Sequence, residues 1–178
     1  MPQPSGARYA ILGWLSIAPC SGFELRSKIQ GSISMFWNES FGSIYPMLKR
    51  LVDDGAIERV DDDADGHPSR KVYAATAKGR DELRQWLGED FAPTTSRNQF
   101  ALKLFFGAYG TPKETRAHVL RYRKIHAEGL AVLAQIGERL ESEVHETAEY
   151  RAMTVDLGRV LCQATIDWCD RVLDTMKD

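Results

Sequence analysis

Two short basic stretches hold the residue types that could do chemistry with a polyanion. Between Ser40 and Val52 the only ionised side chains are Lys49 and Arg50, so this segment carries +2 in a chain of 178 residues with a formal net charge of -2. Ile44, Met47, Leu48 and Leu51 recur at three- and four-residue spacing and should share one face of a helix, which leaves Ser43, Tyr45, Pro46, Lys49 and Arg50 outside. Such a set suits a nucleic-acid duplex: amides at the helix start and the helix dipole take one phosphate, the cations take others, and tyrosine or serine reaches base edges. Arg70 and Lys71, just after Gly66-His67-Pro68, could clamp phosphates beside that helix. The same residues also fit an ordinary amphipathic helix with a solvated face and a charged hairpin end. Asp61, Asp62, Asp63 and Asp65 make the ascending side of that hairpin negative, and their spacing lacks the glutamate and helical flanks of an EF-hand calcium loop.

Other chemistry finds no support in the residue pattern. There is no glycine-rich phosphate loop, nucleophile elbow or HExxH, so neither catalysis nor a cofactor is expected. Cys20, Cys162 and Cys169 are too few and scattered for a disulfide framework, and no Cys/His cluster has metal spacing. Cys162 and Cys169, seven apart, are expected to pack within a helix. The apolar start from Tyr9 to Ala18 is too short to span a membrane, and a reducing, cytoplasmic location is expected. A 43% hydrophobic and 27% charged composition is that of a globular chain.

The elements that must position the basic residues can be read in order. Helix one is expected from about Ala7 to Ala18, stopped by Pro19, and apolar nearly all round. Ser21 and Glu24 form a capping-box pattern that starts helix two, with Phe23 and Ile29 inward. A turn at 38–42 precedes helix three, which Pro46 places with its cap at Gly42 or Ser43 and which stops at Asp54-Gly55. Alternation over 56–61 and 70–76 predicts a β-hairpin. Thr76 caps a fourth helix that should bury Leu83, Trp86 and Leu87 and stop at Gly88. The polar segment 92–96 is the expected boundary between a first domain, 1–91, and a second, 97–178. There, a short helix over 100–109 precedes Thr111-Pro112-Lys113-Glu114, a second capping box. A long helix follows, with a seam of His126, Leu130, Leu133, Ile136, Leu140 and Val144. The last helix carries Met153, Leu157, Val160, Ala164, Trp168, Val172 and Met176. The fold class is therefore mainly α with a small β-hairpin wing: a winged helix-turn-helix followed by a helical domain.

Taken together, Tyr9-Ala10-Ile11-Leu12-Gly13, Ser21-Gly22-Phe23-Glu24-Leu25, Phe36-Trp37, the string from Gly42 to Leu51, and Gly66-His67-Pro68-Ser69-Arg70-Lys71-Val72-Tyr73 with Thr76 and Gly79 resemble the PadR family of transcriptional regulators. The departures are His67 where a cation is common, Val72 where an aromatic is common, and Ala75 where leucine usually precedes the threonine. The resemblance continues through 99–106 and is to the longer type with a two-helix carboxy-terminal dimerisation domain. It implies a homodimer whose two winged helices bind an inverted repeat in double-stranded DNA, as a repressor released by a small aromatic or amphipathic ligand. In the resembling proteins that ligand is expected between the winged helix and the carboxy-terminal helices, where Trp14, Tyr122, His126, Tyr150, Arg151, Met153 and Trp168 supply aromatic walls and carboxylate partners. Independently, two long helices with continuous apolar seams carry more apolar surface than one antiparallel pair covers, and Ala127, Ala131 and Ala134 add a second narrow face. A winged-helix module used only for protein–protein contact is the alternative.

Overall fold

The apolar run near the amino terminus becomes α1 (Gly6–Ile17), whose Ile11, Leu12 and Leu15 are almost completely buried. The computed structural model describes residues 6–32, 44–60, 71–91, 97–141 and 147–176, and the chain divides into two units, Met1–Ala92 and Pro93–Asp178. In the first unit α1 is followed by β1 (Cys20–Ser21), α2 (Gly22–Gln30), α3 (Ile44–Asp53), β2 (Ile57–Arg59), β3 (Val72–Ala75) and α4 (Ala77–Leu87). The strands form an antiparallel sheet in the order β1-β3-β2, with Cys20 opposite Tyr73 and Ile57 opposite Ala75. β1 was not expected, because two residues are too few to show alternation. The wing tip, 61–70, lies outside the described residues, as do the turn at 38–42, Phe36-Trp37 and the caps expected for α3.

Ser21 closes the predicted capping box: its amide donates to Glu24 Oε2 at 2.8 Å, and the Glu24 amide donates back to Ser21 Oγ at 3.3 Å. That start makes Gly22 the first helical residue, facing the core with Leu25 and Ile29. Phe23 is therefore rotated outward and is 69% exposed, contrary to the inward position expected for it. The core gathers Ile11, Leu12, Leu25, Leu48, Leu51 and Ile57. Arg8 clips this unit together, donating to Glu82 of α4 through both Nε and Nη2 and to Asp54 Oδ2, after α3, at 2.6 Å. Thr76 caps α4 by accepting from the Gly79 amide at 3.2 Å. The helix ends at Gly88 but outruns the core: Leu83 is half-buried, Trp86 stacks on Tyr9 with centroids 4.4 Å apart yet stays partly exposed, and Leu87 is 68% exposed. The expected burial of Trp86 and Leu87 is thereby corrected.

The second unit holds α5 (Gln99–Phe105), a 3-10 turn at Gly107–Tyr109, α6 (Pro112–Glu141) and α7 (Ala148–Thr175). Asn98 caps α5, and Thr111 and Glu114 form the second capping box, with the Thr111 amide donating to Glu114 Oε2 at 2.8 Å. At 1.5 Å per residue, α6 is about 45 Å long. Its expected seam holds for Leu133, Ile136 and Leu140, which are buried, and Leu130, which packs against them; Val144 lies outside the described residues. On α7 the covered residues are Val155, Cys162, Ile166 and Cys169. Met153, Leu157, Val160 and Ala164, expected as the packing seam, are exposed. Two apolar arcs lie on opposite sides of this helix, and the sequence pattern alone does not say which one α6 takes. Arg123 adds a bidentate clip to Asp170, with Nη2 to Oδ2 at 2.9 Å.

Gly79 is the tightest point of the first unit, since a Cβ there would lie 2.0 Å from the Ala56 carbonyl oxygen, a backbone atom that cannot swing away. Gly79→Ala is expected to destabilise the fold by about 2–3 kcal/mol, read as a lowered denaturation midpoint. An unchanged midpoint would contradict this packing.

Candidate nucleic-acid interface and aromatic cluster

On α3 the split expected from spacing is realised: Ile44, Met47, Leu48 and Leu51 are buried, while Tyr45, Pro46, Lys49 and Arg50 are exposed. Tyr45 does not hang free. A Cβ on Gly22 would lie 2.9 Å from Tyr45 Cε1, so the ring edge rests on the start of α2 while 56% of the residue faces solvent. Lys49 and Arg50, one turn further on, complete a surface with a hydroxyl, a planar apolar ring and two cations. Lys71 is exposed at the entry to β3. Ser43 and Arg70, as well as the acidic residues 61–65, lie outside the described residues. Phe23, adjacent to Gly22, adds an exposed aromatic that sequence reasoning assigned to the core; the capping box at Ser21 was the signal that could have turned it outward.

Of the seven residues expected at a ligand site, six lie in the second unit, where they fall into two groups. Trp14 belongs to the first unit, where it packs against the core with the Lys28 ammonium 5.5 Å from its ring centroid. In the second unit Tyr122, His126 and Trp168 come together around Phe100, a residue the sequence reading placed on α5 but gave no role. Phe100 stacks on Tyr122 at 3.9 Å and 11° and meets Trp168 edge-on at 6.0 Å, while Tyr122 meets His126 edge-on at 4.6 Å. A cleft of about 260 Å³ opens beside this cluster, lined also by Lys103, His118 and Arg121. Tyr150, Arg151 and Met153 lie 15 to 18 residues before Trp168, about 23–27 Å away along α7. Periodicity places His126, Met153 and Trp168 on apolar seams but carries no information about height along the partner helix.

Desolvation depresses the basicity of His126 and raises the thiol pKa of buried Cys162 and Cys169, the last also through the Asp170 carboxylate. Among the described residues no group of three or more His, Cys, Asp or Glu is arranged to hold a metal ion. No described helix is long and apolar enough to cross a membrane.

Residues 11–85 match the transcriptional regulator PadR-like family, and residues 96–177 match the family described as virulence activator alpha C-term. A probable transcriptional regulator of Mycobacterium tuberculosis is 26% identical over 183 residues, covering 96% of this chain and 97% of that protein. The negative transcriptional regulator PadR of Bacillus subtilis is 34% identical over 100 residues, 56% of this chain and 55% of the relative. Crystal structures of that Bacillus protein share the fold. Its complex with operator DNA has a TM-score of 0.81 at 24% identity, covering 96% of this chain and 98% of that one. Its complex with p-coumaric acid has a TM-score of 0.77 at 23% identity, with full coverage of both chains.

The depressed pKa of His126 sets a direction for pH dependence. Its folded form resists protonation, so it contributes stability above the unfolded value of about 6.5 that is lost as pH falls below it. Unfolding midpoints followed from pH 7.5 to 5 should drop, and His126→Phe should flatten part of that drop. A variant as acid-sensitive as the wild type would show that burial of this imidazole does not matter.

Proposed function

We propose, from the premise that this chain belongs to the PadR-like family of transcriptional regulators, that it is a dimeric, sequence-specific DNA-binding repressor. The observation that carries this reading is the separation of faces on α3, with four apolar residues in the core and Tyr45, Pro46, Lys49 and Arg50 presented outward. In the proposed complex α3 lies in the major groove, Tyr45 reaches base edges, and Lys49, Arg50, Arg70 and Lys71 take phosphates, with Ser43 at the helix start. The first domain, 1–91, reads the DNA and the second, 97–178, pairs two copies across an inverted repeat. The negative role of the Bacillus relative and its structure on operator DNA support this assignment.

Pairing rests on α7. Tyr150, Met153, Leu157, Val160, Leu161 and Ala164 fall within one arc, form a stripe about 21 Å long, and are exposed in the single chain. Beside Val160 lies a concavity of about 390 Å³ lined by Leu130 and Ala134, which can receive side chains of a second copy. A small aromatic ligand at the Phe100 cluster acts as inducer, supported by the p-coumaric acid complex of the Bacillus protein. Such a ligand must bind the DNA-free form more tightly than the operator-bound form.

An operator recovered by selecting bound genomic fragments provides the test. Tyr45→Ala should weaken operator binding by about 1–3 kcal/mol and relax discrimination between operator and random duplex. Lys49→Ala should weaken both alike and reduce the slope of log K against log salt by about 1. If neither change alters binding, α3 is not the reading surface and the winged helix serves protein contacts instead. Leu157→Glu should turn the dimer into a monomer in sedimentation equilibrium and weaken operator binding with it; a dimer that persists would refute the α7 interface.

A further inference from the structure

The unit that carries α3 is itself net negative, with 11 Lys and Arg against 13 Asp and Glu over residues 1–92. It therefore supplies little general attraction to a polyanion. The strongest positive segment of the chain lies elsewhere: residues 97–126 hold seven Lys and Arg against the single Glu114. Glu114 is engaged in the Thr111 cap, its Oε2 accepting from both the amide and the hydroxyl at 2.8 and 2.7 Å. Arg123 is tied to Asp170. Lys113, Arg116 and Lys124 are exposed and fall within one arc of about 80° on the flank of α6 beside buried Val119, with Arg121 further round the exposed side and Lys103 across the cleft on α5. Lys124 has only an exposed partner, Glu128 at 3.8 Å, and Lys113, Arg116, Arg121 and Lys103 form no ion pair among the described residues.

Apart from the exposed Lys124–Glu128 pair, this arrangement does nothing for the helix. A stabilising pattern interleaves opposite signs at i, i+4, whereas Lys113 with Arg116 and Arg121 with Lys124 set like charges three apart, each pair costing a few tenths of a kcal/mol. The face from Lys113 to Lys124 spans about 17 Å, a length over which duplex DNA presents about ten phosphate charges. We propose that the outer face of the first half of α6, through Lys113, Arg116 and Lys124, is a second, sequence-independent contact for the DNA phosphate backbone. It supplies the non-specific affinity that the acidic reading unit lacks. This proposal rests on the reading of the chain as a DNA-binding regulator.

The test uses the full chain with Lys113→Gln, Arg116→Gln and Lys124→Gln combined, substitutions that avoid both α3 and the α7 stripe. Titrations of operator and of random duplex over a range of salt should show both affinities falling by a common factor of tenfold or more. The slope of log K against log salt should shrink by about 2–3, with dimer mass and thermal midpoint unchanged. A slope equal to that of the wild type would overturn the proposal while leaving the α3 reading intact. So would loss of the dimer in the triple variant, because the basic face would then be covered by the acidic half of a second copy. Failure of the α3 reading appears separately, as a Tyr45→Ala variant that keeps full preference for operator over random duplex.

Discussion

The outward face of α3 depends on how closely α2 can approach that helix. Gly22 sits where any side chain would strike the Tyr45 ring, and it would also lie 3.2 Å from Leu48 Cδ1, a buried core atom. One contact thus sets two things at once: the depth at which Leu48 enters the core and the base on which Tyr45 rests. The capping box at Ser21 secures it from the other side, because starting α2 at Gly22 is what turns that residue toward α3. A second glycine plays the same part behind the wing. Gly79 lets α4 lie against the Ala56 carbonyl, and the Thr76 amide donates to the same oxygen at 3.1 Å while its hydroxyl donates to the Gly55 carbonyl at 2.8 Å, so the base of the hairpin and the start of α4 are held as one piece. Recognition surfaces need supports of this kind, since a contact misplaced by about 1 Å loses most of its value.

How legible this was from sequence varied with the kind of information each element carries. Caps and stops were read well: Ser21, Thr76, Gly88 and Thr111 each act where their chemistry put them. The α3 faces were equally plain, because Pro46 and two adjacent cations leave few ways to orient a ten-residue helix. Phe23 reads as core by hydrophobicity alone, whereas the capping box specifies a helix phase that turns it outward. Trp86 and Leu87 fit the apolar pattern of α4 yet stay exposed to solvent, because an amphipathic pattern does not say where the neighbouring helix ends. β1 was invisible at two residues, held by pairing with β3 rather than by any pattern of its own.

The candidate ligand residues show a deeper limit. Tyr122 and His126 meet as an i, i+4 pair on α6, but Trp168 joins them only through Phe100, on a separate short helix, which touches both Tyr122 and Trp168. Nothing in the spacing of α6 or α7 announces that third element. Tyr150 and Met153, with the same aromatic or soft apolar character, sit far along α7 on the stripe that α6 leaves uncovered. Residue type marks both groups, but only the register of two antiparallel helices separates a ring cluster from an exposed apolar stripe.

Charge distribution ties these features to one mode of action. A protein with a net charge of -2 has little general pull on DNA, and a reading unit rich in acid has even less. Each exposed cation is worth little by itself in salt, where fields decay over about 8–10 Å. A few cations on one rigid helix act together, because the helix has already met the cost of arranging them. Under this scheme discrimination comes from α3 and residence on the duplex comes from α6, so the two properties can vary separately. In the proposed dimer the apolar stripe on α7 multiplies both: joining two copies makes the second half-site contact effectively intramolecular, so modest single-site affinities combine into tight binding only where two half-sites have the right spacing. A ligand in the Phe100 cluster would then need only to disturb the register of α5, α6 and α7, the three helices that carry the general contact and the pairing stripe, to weaken binding at both half-sites together.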